Sequence, residues 1–190
     1  LQLASNGVAQ FSIVTKVNPA PEVLNAALTL QQKLQQMTGA TFPLTTSSSG
    51  SAQIAIGVRD DFDRTSVWRF GGVYFGDPQD PLRGEDYAIS THAAGICLAA
   101  SSVKGISHAV WDLLYQAGYR HFFPGQAWEI VPFNANLSVQ HSRLERPSYH
   151  DRKLFFGFGA WPDLLAPWST WQTRNRMGAG LPVVTGDVSV

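Results

Sequence analysis

Apolar positions recur along this chain with two different periods, and the switch between them sketches the fold. Over Pro21 to Thr38, Val23, Leu24, Ala27, Leu28, Leu34 and Met37 return at helical spacing. Pro21 sits where a first helical turn tolerates proline and Gly39 sits where helices stop, so this helix is bounded on both sides. A second helix is predicted from Val103 to about Ala117, with Ile106, Ala109, Val110, Leu113, Leu114 and Ala117 as its stripe, Ser101 or Ser102 as its cap and Gly118 as its end. Shorter apolar runs read as strands: Ala9 to Val17, closed by Asn18-Pro19, then Leu44 to Thr46, and the buried run QIAIGV from Gln53 to Val58. Asp86 to Thr91 and Gly95 to Ala100 are separated by His92-Ala93-Ala94, which is hairpin spacing. His121 to Phe123, Trp128 to Val131 and Leu137 to Gln140 are further short strands. Between them, Ser47 to Ser51 is a polar loop, and Arg59 to Gly84 reads as a long surface excursion with at most a small helix near Phe62 to Val67.

Two helices with one apolar stripe each, set among short strands, predict an α+β fold in which both helices pack on one face of a small mixed sheet. The texture changes at about Arg143 to Ser148, where HSRLERPSY is polar and contains Pro147, so a domain boundary is expected there. Beyond it come an aromatic strand over Lys153 to Phe158, a Pro-rich connection, a helix across Ser169 to Met177 and an apolar run over Leu181 to Val184. Strand, helix, strand is the opening of a βα repeat. The expected division is therefore 1–145 for an α/β module and 146–190 for a linker and a truncated barrel start. No repeat of fixed period is visible.

Charge and composition narrow the function. The chain has 190 residues with 14 basic and 14 acidic side chains, which removes the basic surplus that a nucleic-acid or anionic-membrane binder uses to collect phosphates. At 44% hydrophobic and 15% charged it is too apolar to stay disordered. One cysteine, Cys97, excludes an internal disulfide framework and a multi-thiolate metal site, and its place inside an apolar strand reads as a buried inert thiol. No apolar run reaches the roughly 20 residues that span a bilayer. Leu1 to Gly7 lack the charged start and apolar stretch of a signal peptide, and without an initiating Met they are expected to be a processed start.

Candidate chemistry is sparse. Phosphate-loop, dinucleotide, nucleophile-elbow and zincin motifs are all absent from the sequence. His92, His108, His121, His141 and His150 lack ligand spacing, and His108 reads as a packed or surface residue of its helix. Asp60, Asp61 and Asp63 read as a solvated turn, with a weak calcium site as the alternative. No cofactor or metal is expected.

The run GISHAVWDLLYQAGYRHFFPGQAWEIVP, residues 105 to 132, carries a recognisable pattern: Gly105, Ala109 to Leu114 with Trp111 at the centre, Gly118-Tyr119-Arg120, Phe123-Pro124-Gly125, then Trp128-Glu129. It resembles the signature of the non-catalytic N-terminal domain shared by bacterial α-glucuronidases, β-hexosaminidases and similar glycosidase-like proteins. ERPSYHDRKLFF, Glu145 to Phe156, resembles the link by which those proteins enter a (β/α)8 barrel. Physically the signature is structural. Gly118 suits a left-handed helix end, Tyr119 and Phe122 can close the core over that end, and Pro124-Gly125 makes a turn. Trp111 and Trp128 read as core and interface aromatics rather than sugar platforms, and Arg120 as a partner of Glu129 or Asp112.

Glycoside cleavage uses two carboxylates, which in barrel enzymes sit at strand ends. Only the first barrel strand and part of the second are expected here, so no complete active site is. Trp161, Asp163, Arg174 and Arg176 are the residues placed where a substrate rim would be, with an ordinary solvated helix face as the favoured reading of the two arginines. The resemblance implies an accessory domain of a secreted, periplasmic or cell-surface bacterial glycoside hydrolase acting on polysaccharide or glycoconjugate, with its catalytic barrel downstream. A stand-alone glycan- or protein-binding module is the alternative.

Overall fold

A computed structural model of the chain describes residues 1–46, 52–62, 80, 83–149, 152, 154, 163 and 165–178. It contains strands β1 (Ala4–Ser5), β2 (Val8–Ala9) and β3 (Ser12–Val14), helix α1 (Pro21–Thr38), and strands β4 (Leu44–Thr45), β5 (Gln53–Val58), β6 (Tyr87–His92) and β7 (Gly95–Ala100). Helix α2 (Val103–Gln116), strands β8 (Arg120–His121), β9 (Glu129–Ile130) and β10 (Arg143–Glu145), and helix α3 (Leu165–Arg174) complete the order. The main sheet has six strands in the order β10-β6-β7-β5-β3-β4. β3, β4, β5 and β7 run parallel, whereas β6 is antiparallel to both β7 and β10. The result is the mixed α+β sheet that the alternation of periods predicted.

Both long helices pack against this sheet and against each other. α1 turns in Val23, Ala26, Ala27, Leu30, Leu34 and Met37, while Leu24 and Leu28 stay 38% and 44% exposed. The stripe therefore lies nearer Ala26 and Leu30 than the periodicity placed it. Pro21 opens α1, and Gly39, at φ 75°, closes it in the left-handed region. α2 is capped by Ser102, whose Oγ accepts the Lys104 N–H at 3.3 Å.

α2 comes down onto the sheet at Gly105. A Cβ there would meet the Asp86 carbonyl oxygen at 2.9 Å, Ala100 Cβ at 3.0 Å and the Glu85 carbonyl oxygen at 3.0 Å. Gly105→Ala is expected to push the helix off β6 and β7 and cost ~1–3 kcal/mol, measurable as a lower urea midpoint at unchanged slope.

The first residues, for which no element was expected, are built in: β1 and β2 form a hairpin around Asn6 and Gly7, at φ 49° and 73°, and Leu3 and Ala4 are fully buried. Three expectations are corrected. The strand read over 9–17 is two strands, β2 and β3, separated by Gln10 and Phe11. The region 137–140 makes a single bridge, Gln2 to Ser138, beside the N-terminus. Arg143–Glu145, read as polar boundary, is a sheet strand whose Leu144 pairs with Ala88. The strands expected over 153–158 and 181–184 and the helix near 62–67 lie outside the described residues, Phe62, Leu154 and the turn at Arg59–Asp61 excepted.

Candidate functional site

Charged and aromatic side chains of the described residues meet where α3 and its end contact α2, β8 and β9. Two acids are held there by the α2 end of the domain. Asp112, one turn before the end of α2, is 0% exposed. Its carboxylate accepts from Tyr87 Oη at 3.1 Å and from Arg176 Nη1 at 2.6 Å, with His141 Nε2 at 3.4 Å. Glu129, at the start of β9, accepts from Lys33 Nζ at 2.5 Å, Tyr119 Oη at 2.9 Å and Arg174 Nη1 at 2.9 Å through its Oε1.

Local structure explains why these groups meet. Gly118, at φ 104°, reverses the chain after α2, so the Tyr119 amide donates back to the Leu114 carbonyl at 3.0 Å and its ring lies 5.1 Å from that of Trp111. Tyr119 is thereby buried with its hydroxyl toward Glu129, and Lys33 of α1 passes over its ring. From the other side, Trp171 of α3 is buried and donates its indole N–H to the His121 carbonyl at 3.0 Å, which also accepts from Asn175 Nδ2 at 3.0 Å. Arg174 stacks near the Trp111 ring. α3 is thus fixed by one indole, one amide and two guanidinium groups.

Electrostatics favours holding over proton transfer. Burial opposes ionisation of Glu129, but hydrogen bonds from Lys33 and Tyr119 and the charge of Arg174 outweigh it and bring its pKa down to about 2. A carboxylate so saturated is a poor general acid or base near neutrality. Burial pushes Tyr87 upward, with the Asp112 charge adding to it, and burial likewise raises Tyr119. Arg176 is kept cationic because the oxygens of Tyr87 and Asp112 outweigh its burial.

Beside Asp112 a second set contains His108, Glu85 and Arg152. His108 Nδ1 lies 3.8 Å from Glu85, which Arg152 also contacts. Burial lowers the His108 pKa to about 4, against a smaller opposing pull from Glu85. An imidazole neutral in the fold and ionising near 6.5 when unfolded makes the unfolded state bind the extra proton between those values. This part of the stability is present above pH 6.5 and is lost as pH falls toward about 4. Urea titrations across that window should show the fall, and His108→Gln should flatten it.

Among the described residues, clefts lie along α3 and beside the residues that follow it. One of about 600 Å³ runs between α1, α2 and α3 and includes Asn25, Thr29, Lys33, Trp111 and Arg174. One of about 350 Å³ includes Tyr87, Arg143, Tyr149 and Arg176, and one of about 390 Å³ includes His121, Gln126, Glu129 and Thr170. Among the described residues no group of three or more His, Cys, Asp or Glu side chains could hold a metal ion, and no helix is long and apolar enough to cross a membrane.

The residues singled out from sequence take varied places. Trp111 is buried and Trp128 is 53% exposed. Gly118 and Gly125 take positive φ, and Pro124 lies in the bend between β8 and β9. Arg120 does not reach Glu129 or Asp112: it donates to the Tyr115 and Tyr119 carbonyls and stacks on the Tyr115 ring at 3.7 Å, while Arg174, Arg176 and Lys33 take the two acids. Phe122 does not close the core and is 60% exposed. Arg174 and Arg176 are partly exposed, their charges paired with Glu129 and Asp112. Asp163 is exposed, and Trp161 lies outside the described residues. Asp61 is paired with Lys16 at 2.5 Å and accepts the Val58 amide, rather than being a solvated turn acid; Asp60 is exposed beside Arg59, and Asp63 lies outside the described residues. Cys97 is buried, and burial raises its pKa. Sequence reasoning places Asn175 with the two arginines as rim or solvated helix face but does not find Tyr87, His141 and Trp171, and only the unusual density of Trp and Arg in and around α3 hints at them.

The chain is similar in structure to a β-hexosaminidase of Streptomyces plicatus, at 19% identity over 80% of this chain and 24% of that one, with a TM-score of 0.47. A β-N-acetylhexosaminidase of Streptomyces coelicolor matches at 16% identity over 81% of this chain and 27% of that one, with a TM-score of 0.47. An exo-β-N-acetylglucosaminidase of Vibrio harveyi matches at 18% identity over 80% and 18%, with a TM-score of 0.42. This chain spans about a quarter or less of the length of these structures. No family model and no curated protein matches it.

Proposed function

We propose that the chain is the N-terminal part of a larger carbohydrate-active protein, in which residues 1–145 are a non-catalytic module that seats a downstream (β/α)8 barrel begun in 146–190. The observation that carries this reading is the seating of α3. A helix beyond the expected boundary is fixed through Trp171 to the His121 carbonyl, through Arg174 to Glu129 and through Arg176 to the buried Asp112. Two partly buried ion pairs that share a short helix and its end are an effective way to set the position of the polypeptide beyond it. The parent would act on polysaccharide or glycoconjugate, and we place it outside the bacterial cytoplasm, in the periplasm, at the cell surface or secreted.

The 190-residue chain and the parent polypeptide continuing past Val190 should be assayed side by side on aryl glycosides and oligosaccharides. Hydrolysis is expected from the longer polypeptide only. Turnover by the 190-residue chain alone would overturn the accessory role. The alternative, a stand-alone binding module, draws on the exposed aromatics Phe122 and Trp128, and specific capture of glycans by the 190-residue chain on an array would favour it.

A further inference from the structure

The cleft of about 600 Å³ between α1, α2 and α3 falls within the roughly 300–1,000 Å³ typical of small-molecule sites. Helical spacing decides what faces it. Asn25, Thr29 and Gln32 line up along α1, Ser107 stands one turn before Trp111 on α2, and Thr170 comes from α3. None of these amide and hydroxyl groups makes a hydrogen bond within the described residues, and Thr29 and Ser107 are half-buried. Trp111 supplies an independent observation. It is 6% exposed, its ring lies against Tyr119 and the Arg174 guanidinium, and its indole N–H donates to nothing among the described residues. That N–H is not sealed from solvent, so it opens on the cleft that Trp111 lines. A buried indole normally finds an acceptor, and here the acceptor must come from what fills the cleft.

We propose that this cleft binds an uncharged, polyhydroxylated ligand, a small saccharide in class. One of its oxygens accepts from the Trp111 N–H, and its other hydroxyls are held by Thr29, Ser107 and the amides of Asn25 and Gln32. Charge selects no ion here: Lys33 and Arg174 are both paired with Glu129, and the exposed Glu22 and Lys104 are opposite in sign. A sugar hydroxyl both donates and accepts, as alcohol and amide side chains do, so one ring bearing several of them can meet groups that separate helices present. Ala26 and Val110 also line the cleft and suit the C–H faces of such a ring. An apolar ligand would instead strip water from these groups and leave the indole N–H unpaired. The site is separate from the exposed Phe122 and Trp128, and it holds whether the chain works within a larger protein or alone.

The indole N–H signals of the isotopically labelled 190-residue chain should be followed by NMR while methyl glycosides of glucose, galactose, mannose and N-acetylglucosamine are added. The Trp111 signal is assigned through its own backbone resonances. At least one of these sugars is expected to shift it, with a dissociation constant of about 1 mM or tighter. Ser107→Ala and Thr29→Val remove hydroxyls that have no partner in the protein, so each is expected to move the melting temperature by no more than about 2 °C. Each is expected to weaken the sugar by about threefold to tenfold, as the loss of one hydrogen bond does, while Trp128→Ser leaves binding unchanged. No shift of the Trp111 signal with any of the sugars would overturn the proposal. So would an equal shift from glycerol, a stronger response to glucuronate or inorganic phosphate, or binding that Trp128→Ser abolishes and Ser107→Ala does not. In the longer polypeptide, a Trp111 signal that no longer responds would make the cleft a seat for the rest of the chain and would overturn it too. Hydrolysis by the two polypeptides is read independently, so the accessory role and this site stand or fall separately.

Discussion

Arg176→Met is expected to destabilise the chain by ~3–5 kcal/mol, the cost of leaving a charge buried without its partner. The magnitude stems from the asymmetry of the pair. Asp112 is 0% exposed, while Arg176 keeps part of its guanidinium in solvent. Removing the arginine strands the carboxylate among Tyr87 and His141, with Arg143 at 4.0 Å as a distant cation. Removing the carboxylate as well should recover much of the loss. The double variant Asp112→Leu with Arg176→Met is expected to be more stable than Arg176→Met alone, and chemical denaturation of the four members of this cycle measures the coupling. A deficit in the double variant equal to the sum of the single losses would mean that the pair does not act as a unit. Hydrogen exchange on Arg176→Met should also show α3 opening while β5 and β7 stay protected, because the arginine is an anchor of α3 and not of the sheet.

Gly95→Ala should be at least as damaging, and for a reason independent of charge. Gly95 opens β7 directly after the two-residue turn at Ala93-Ala94, at φ 145°. A Cβ there would stand 1.8 Å from the Gln53 carbonyl oxygen and 2.8 Å from its carbonyl carbon. Both are backbone atoms of the neighbouring parallel strand β5, so no side-chain rotation relieves the clash. Either the β5–β7 pairing opens or the hairpin shifts, and one lost register in a buried sheet exchanges its inward and outward side chains. A loss above ~4 kcal/mol is expected, in the range reserved for severe backbone and packing faults, with the variant recovered mainly as insoluble protein. A soluble Gly95→Ala protein with wild-type melting would show that the strand start has room that the geometry denies.

How far the fold can be read from sequence depends on the range of the interactions. α1, α2 and the β6–β7 hairpin are specified by neighbours a few residues apart: Pro21 and Gly39, the Ser102 cap, and the short connection at Ala93-Ala94 all act locally. The β1–β2 hairpin escapes such a reading because each strand has two residues, too few for any period, although Asn6-Gly7 is a strong turn signal. β10 escapes it because an edge strand of Arg, Leu and Glu looks like a linker until its partner is known. The α3 seat is least legible. Asp112 and Arg176 are 64 residues apart, and nothing local marks an arginine just past a helix end as half-buried. Glu129 stands out within its motif, yet its partners Lys33 and Arg174 come from α1 and α3. Leu24 and Leu28 illustrate the opposite error, in which a hydrophobic residue at the right spacing lies beside the core rather than in it.

The two margins of the main sheet bear on how the protein behaves at high concentration. On one side the last strand is β4, two residues long, and on the other it is β10, with Arg143 and Glu145 at its ends. A foreign strand seeking backbone partners finds a ledge too short on the first side and charged side chains on the second. Self-templated stacking through open sheet margins is thereby discouraged on both flanks, so precipitation of intact folded chains should begin elsewhere on the surface.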